Sequence, residues 1–261
     1  MESLPNLNEP HGVERRRDAR QWFETTLGRY VLAREQTYFD EIVSDIFGFN
    51  ALQLGLPQHD MLRASRIPLR LTLGTHRPAS LLADFNHLPI ASQSVDLALM
   101  PHVLEFSATP HQILREVERV LMPEGQVLIT GFNPLSFWGA CHLLRRRRSE
   151  YPWCGKFIGL PRLKDWLALL GFEVVAGQLA CYVPPLQSAQ WLARLQFMEA
   201  AGDRWWPLGG GVFYLLAKKR VPGMRLILPT WSEHLAAQRG IAPAAQKEVG
   251  HCRTRKENEL V

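Results

Sequence analysis

The segment from Leu88 to Pro134, LPIASQSVDLALMPHVLEFSATPHQILREVERVLMPEGQVLITGFNP, constrains the fold more than any other part of the chain. Val95–Met100 and Gln126–Phe132 are short and apolar, and they lack the polar alternation of a sheet with one wet face. Such runs read as strands covered on both sides. Between them, Thr109 fits a helix N-cap, Pro110 the first helical position, and Gln112 the position that closes a capping box. Ile113, Leu114, Val117, Val120 and Leu121 recur at helical spacing, and Pro123-Glu124-Gly125 predicts the stop. A strand–helix–strand unit of this length implies parallel strands joined by a right-handed crossover. Ligands of such sheets bind at the carboxyl ends of the strands. The loop leaving Val95–Met100 carries His102 and Glu105, which makes both candidates for chemistry.

Further strand candidates are Ala51–Leu56, Leu69–Gly74, Ser80–Phe85, Phe172–Val175 and Gly211–Arg220. Ahead of them, Arg15–Phe47 carries an amphipathic pattern through Trp22, Phe23, Leu27, Tyr30, Val31, Tyr38, Phe39, Ile42, Val43 and Ile46. It reads as two helices broken near Gly28 or Thr37. Helices are also expected over Ser136–Arg146, Leu163–Leu170 and Ala189–Ala201, with a short one around Ser232–Arg239. Strands alternating with helices and closing on a hairpin-like strand predict a three-layer α/β/α sandwich. Residues 1–47 form an N-terminal helical lid or extension, 48–220 the main domain, and 221–261 a basic tail.

With 261 residues, 46 % of them hydrophobic, and eight tryptophans, the chain can bury a sizeable core. Its net charge of +5 owes much to Arg15–Arg17 and Arg145–Arg148. Short arginine blocks are common solvated helix ends and also potential contacts to phosphate or anionic lipid. No nucleic-acid-binding module accompanies them, so a nucleic-acid partner is not expected. Cys141, Cys154, Cys181 and Cys252 form no CxxC pair, and no leader segment is evident, which predicts reduced thiols and a cytoplasmic location. Cys141-His142 and His251-Cys252 have no partner pair at zinc spacing, so no metal is expected. No apolar run reaches membrane-spanning length.

Several motifs together resemble the class I S-adenosylmethionine-dependent methyltransferases, specifically the methyltransferase type 11-like group related to the ubiquinone and menaquinone C-methylating enzymes. They are Ala83-Asp84, Leu88-Pro89, Val95-Asp96 and Arg119-Val120-Leu121-Met122-Pro123-Glu124-Gly125. The likeness runs from about Asn50 to Arg220. It implies a Rossmann-like, seven-stranded, mostly parallel sheet with an antiparallel last strand. It also implies S-adenosylmethionine as cofactor, with Asp84 on the adenine amino group, Phe85 stacking beside it, Gly55 at the methionine side and His102 on the cofactor wall. The chain departs from the family twice. Leu54-Gly55-Leu56-Pro57 has one glycine and no acid where a glycine-rich turn is usual. Leu73-Gly74-Thr75-His76 offers no carboxylate where an acidic residue usually holds the ribose hydroxyls.

Methyl transfer is an in-line displacement that needs positioning and, for acidic acceptors, a base. His102 titrates near neutrality and reads either as that base or as a hydrogen-bonding wall; Glu105 is the second candidate. Asp84 alternatively caps a turn, with Phe85 as core. His111 reads as a helix-surface residue, Asn133 as a pocket residue at a strand end, and Trp22 and Tyr30 as lid or core. The reading is a methyltransferase acting on a small or medium-sized acceptor. The alternative is a degenerate fold of the same family that binds or scaffolds. Neither the acceptor nor the oligomeric state is legible.

Overall fold

The structure, a computed structural model, describes residues 19–145, 150–206 and 208–221. Arg15–Arg17, Arg146–Arg148, Cys252 and the expected helix at Ser232–Arg239 lie outside the described residues. In chain order the elements are α1 (Thr26–Ser44), β1 (Asn50–Leu54), β2 (Leu69–Gly74), β3 (Leu81–Leu82), β4 (Val95–Pro101), α2 (Pro110–Val120), β5 (Leu121–Phe132), α3 (Phe137–Arg145), α4 (Leu160–Leu169), β6 (Phe172–Ala180), α5 (Ala189–Arg194), α6 (Phe197–Trp205) and β7 (Val212–Lys219). A short 3₁₀ turn covers Leu104–Phe106.

The seven strands form one sheet in the order β3-β2-β1-β4-β5-β7-β6. β1 lies parallel to β2 and β4, and β5 parallel to β4, whereas β7 runs antiparallel to both β5 and β6. This is the expected three-layer, mostly parallel sheet with an antiparallel last strand. The order reverses direction between β1 and β4, which makes their carboxyl ends the switch point where such sheets open a crevice.

The lack of alternation in the strands follows from burial on both faces. Leu97 and Leu99 of β4 join a core with Phe23, Leu27, Val31 and Phe39 from the N-terminal helices. Ala98 and Met100 of the same strand face Ile113, Leu114 and Val117 of α2 and Leu163 and Leu167 of α4. Each fully buried Leu, Val or Phe contributes about 1.5–3 kcal/mol, so residues 19–44 are an integral layer of the fold.

The break expected near Gly28 or Thr37 in the N-terminal helical stretch falls at the first of these, while other element ends depart from the expectation. The N-terminal helical stretch breaks at Thr25, whose Oγ1 accepts from the Gly28 N–H at 3.1 Å. Gly28 is what permits the break, because a Cβ there would sit 2.0 Å from the Trp22 carbonyl oxygen. The capping box of α2 does not form: Thr109 makes no side-chain cap and instead donates to Asn86 Oδ1 at 2.6 Å. Finally, α2 ends at Val120, before Pro123, and β5 begins at once at Leu121. Buried Lys219 explains the early stop. Its Nζ donates to the Glu118 and Leu121 carbonyls at 2.6 and 3.1 Å, satisfying a helix terminus that is also favourable for a cation.

Two motif residues fix the loop between β3 and β4. Arg119 donates to the carbonyls of Leu88 and Ile90, both at 3.0 Å, and pairs with Glu116. Glu116 in turn accepts from the Leu88 N–H at 2.9 Å. Asp96 works at the same amino-terminal end of the strands, accepting from the N–H groups of Phe49 and Asn50 at 2.7 and 2.9 Å.

Candidate active site

A cleft of about 290 Å³ opens at the carboxyl ends of β1, β2 and β4. Gly55 and Leu56 come from the end of β1, Gly74, Thr75 and His76 from β2, and Pro101, His102 and Val103 from β4. Phe85, Phe106 and Tyr151 add aromatic walls, and Ala19 and Arg20 of the N-terminal helical stretch border the cleft. Gly55 has φ +84°, and a Cβ there would come within 3.2 Å of Val103 Cγ2. Glycine is therefore required both by the backbone and by the close packing of β1 against the β4 loop.

His102 is the polar centre of the site. It has φ +51°, a left-handed conformation uncommon outside glycine that histidine adopts more readily than β-branched residues. Its ring stacks on Phe132 with centroids 4.2 Å apart. Nε2 lies 2.6 Å from Glu35 Oε1 of α1, and Nδ1 lies 3.0 Å from Glu105 Oε2. Burial opposes a charge on the ring, but Glu35 and Glu105 outweigh it and push the pKa up to about 10. His102 is thus an imidazolium at neutral pH, both ring nitrogens donating. A ring in that state has no lone pair for an incoming proton, so the geometry favours the wall role over the base role.

Glu105 has its second oxygen, Oε1, on the N–H of Phe132, and its own carbonyl accepts from the Lys156 N–H at 2.8 Å. Burial raises its pKa, an effect opposed by the His102 charge and the Phe132 N–H. The residue ties the β4 loop to the end of β5 and to the segment before α4. Glu35 is fully buried, and its Oε2 has no hydrogen-bond partner among the described residues. Tyr151 OH is likewise buried without a partner, and burial together with Glu105 and Glu35 keeps this phenol protonated far above its usual range.

The other sequence-derived candidates divide between cleft and scaffold. Gly55, Phe85 and His102 line the cleft. Asp84 is exposed and outside the lining; its Oδ1 accepts from the N–H and the side-chain amide of Asn86, both at 3.1 Å, as a turn-capping aspartate does. Phe85 is buried while still presenting a face to the cleft. Asn133 holds the β7 approach, donating to the carbonyls of Leu208 and Gly210 at 2.8 and 2.9 Å, and lies outside the cleft. His111 packs on Trp166 at the surface of α2. Trp22 is core, and Tyr30 donates to Glu199.

Sequence reasoning missed Glu35, Arg20, His76 and Tyr151. For Glu35 a signal existed: Val31, Glu35 and Phe39 stand four residues apart, so a carboxylate occupies a position of the buried stripe of α1. Among the described residues no aspartate or glutamate lines the cleft. Thr75 and His76 stand at the end of β2 instead.

Comparison with known proteins agrees with this layout. Residues 62–129 match a family model described as a methyltransferase domain. The chain is 33 % identical over 156 residues to the uncharacterised protein YafS of Escherichia coli, a match covering 59 % of this chain and 65 % of YafS. It is 33 % identical over 78 residues to the demethylmenaquinone methyltransferase of Chlamydia pneumoniae, covering 29 % of this chain and 34 % of that enzyme. The chain thus spans less than two thirds of the length of either relative. Among solved structures, an S-adenosylmethionine-dependent methyltransferase of Thermotoga maritima superposes with a TM-score of 0.59 at 16 % identity, over 80 % of this chain and 99 % of that one.

Proposed function

We propose that this chain, whose fold is that of the class I S-adenosylmethionine-dependent methyltransferases, transfers a methyl group from S-adenosylmethionine to a small or medium-sized acceptor. The observation that carries the reading is the cleft at the β1/β4 switch point, reached by a glycine turn at φ +84° and walled by Phe85. An open cleft at that place favours a ligand-binding site over the purely scaffolding form of the alternative, and methyl transfer itself separates the enzyme from its binding form.

The residues present fit the cofactor on its apolar side. Phe85, Pro101 and Val103 make a wall for a flat heterocycle, and Gly55 lets the backbone approach closely. On the polar side the fit is a different one from the family's usual pattern. Arg20 supplies a cation suited to a carboxylate, and Thr75 and His76 stand where hydroxyl groups would otherwise meet an acidic residue. When bound, the cofactor supplies an electrophilic methyl group on sulfur. The chain's own part is positional. His102 holds its proton between Glu35 and Glu105, fixing the β4 loop that forms one wall, and Trp22, Phe23 and Tyr151 exclude water behind it. With His102 cationic, the favoured acceptors are those already nucleophilic at neutral pH.

Isothermal titration with S-adenosylmethionine and its demethylated product tests the proposal. Saturable heat from both is the expected result, and absence of binding at millimolar ligand refutes it.

A further inference from the structure

The helices after β5 and β6 carry an aromatic, cationic outer face that methyl transfer does not explain. In α3, Trp138 and Gly139 point into the core, yet Leu143 and Leu144 on the outside are 69 % and 85 % exposed, beside partly exposed Phe137. A helix that is apolar on its outer side as well as its inner one is suited to an apolar medium. Next to it, α5 and α6 expose Trp191, Phe197 (67 %) and Trp205 (81 %). The two regions form one surface. Phe137 meets Trp206 edge-to-face at 5.3 Å, and Asn133 binds the Leu208 and Gly210 carbonyls.

Among the described side chains of these helices, the outward-facing charges are all positive. Arg145 ends α3, Arg194 ends α5 with its guanidinium 5.5 Å from the Trp191 ring, and Arg204 lies in the last turn of α6. The one carboxylate among the described side chains of these helices is Glu199. It is turned inward, accepting from Tyr30 OH and from the Cys181 N–H at 3.2 Å. The sequence continues the basic character with Arg146–Arg148 directly after α3.

We propose that this face docks on an anionic lipid bilayer, with the tryptophans, Phe197 and the α3 leucines seated at the headgroup–acyl boundary and the arginines on lipid phosphates. Large exposed apolar patches mark interaction sites. Aromatic and leucine anchors flanked by arginine suit an interfacial helix, and each basic side chain near an anionic surface adds to the attraction. Topology gives the docking a purpose. α3 leaves the carboxyl end of β5, and the α5–α6 insertion leaves the carboxyl end of β6. The face therefore lies at the sheet edge on which the cleft opens, so an amphiphilic acceptor held in the bilayer would be presented at that edge. The docking itself does not depend on the cofactor reading.

Vesicle co-sedimentation of the full chain is the test, with phosphatidylcholine alone and with phosphatidylglycerol added. The chain is expected to sediment with the anionic vesicles at low salt, with a blue shift of tryptophan emission, and to be released as salt rises. Arg194→Glu with Arg204→Glu should weaken binding about tenfold or more. Phe197→Ser with Trp205→Ser should abolish the blue shift while leaving the thermal midpoint unchanged, because all four side chains are exposed. No sedimentation with anionic vesicles overturns the proposal. So does equal binding to both vesicle types that ignores the arginine substitutions. So does self-association without lipid that Phe197→Ser and Trp205→Ser abolish, which would mean that a second copy covers the face.

Discussion

Glu35→Gln is the most informative perturbation of this molecule, because it removes one charge from a fully buried three-residue cluster with little change in volume. Raising the His102 pKa from 6.5 to about 10 corresponds to roughly 5 kcal/mol of preference for the folded, protonated state. An unfolded histidine loses its proton near 6.5 while the folded one keeps it, so this stabilisation is complete below 6.5 and is lost as pH climbs towards 10. About 4 kcal/mol of it survives at pH 7. Glu105 acts in the same direction from a lower starting point. Its raised carboxyl pKa favours the folded state at acid pH and withdraws that support as pH rises past 4.5. If Glu35 supplies half of the lift on His102, the substitution costs about 2 kcal/mol; breaking one side of a buried ion pair costs up to about 3–5 kcal/mol. For a domain of this size that is a fall in Tm of roughly 5–15 °C at pH 7. Thermal unfolding followed by circular dichroism from pH 6 to 10 measures it. The deficit must be largest near neutrality and shrink towards pH 10, where wild-type His102 also loses its proton. A deficit below about 1 °C at pH 7, or one that is constant with pH, refutes the charged-cluster account.

Gly55→Val forces a branched side chain into φ +84° and against Val103 Cγ2, costing about 1–2 kcal/mol of stability and, by calorimetric titration, at least about tenfold in S-adenosylmethionine affinity. Asp84→Ala distinguishes a turn cap from an adenine ligand. The exposed geometry predicts a cofactor Kd within about threefold of wild type, since the lost Asn86 contacts are worth only about 0.5–1.5 kcal/mol of local stability. Lys219→Met leaves the Glu118 and Leu121 carbonyls without their buried donor and should lower stability by about 1.5–3 kcal/mol in denaturant titrations.

Most of the fold was legible in the sequence because burial on both sheet faces leaves an unmistakable pattern. Val95–Met100 shows no alternation since Leu97 and Leu99 meet one helical layer while Ala98 and Met100 meet the other. Element ends were less legible because long-range contacts set them. Nothing local announces that α2 stops at Val120; the donor that satisfies its last carbonyls, Lys219, arrives from about a hundred residues away. Likewise Gln112 cannot close a capping box at a helix start where Thr109 has turned to Asn86. The single helix expected over Ala189–Ala201 is two, α5 and α6, with the chain turning at Leu195–Gln196 and continuing helical to Trp205.

The site follows the same logic in reverse. Residues on the strand ends, Gly55 and His102, could be placed from topology alone, because a parallel sheet dictates where its ligands bind. The protonation state of His102 could not, since it depends on Glu35, which lies 67 positions away in sequence. Isolated, His102 reads either as a base or as a wall; clamped by two carboxylates, it becomes a cation that cements α1 to the β4 loop. Glu35 had nevertheless left a trace, since a carboxylate in line with Val31 and Phe39 contradicts the apolar stripe on which α1 docks. A buried charge is tolerated only when paired. An acidic residue inside an otherwise apolar helical face therefore implies a cationic partner across the core, and that partner is His102 at the end of β4. The layer that shields the cleft and the loop that walls it are thereby coupled, so loosening α1 must also loosen the wall beside Gly55.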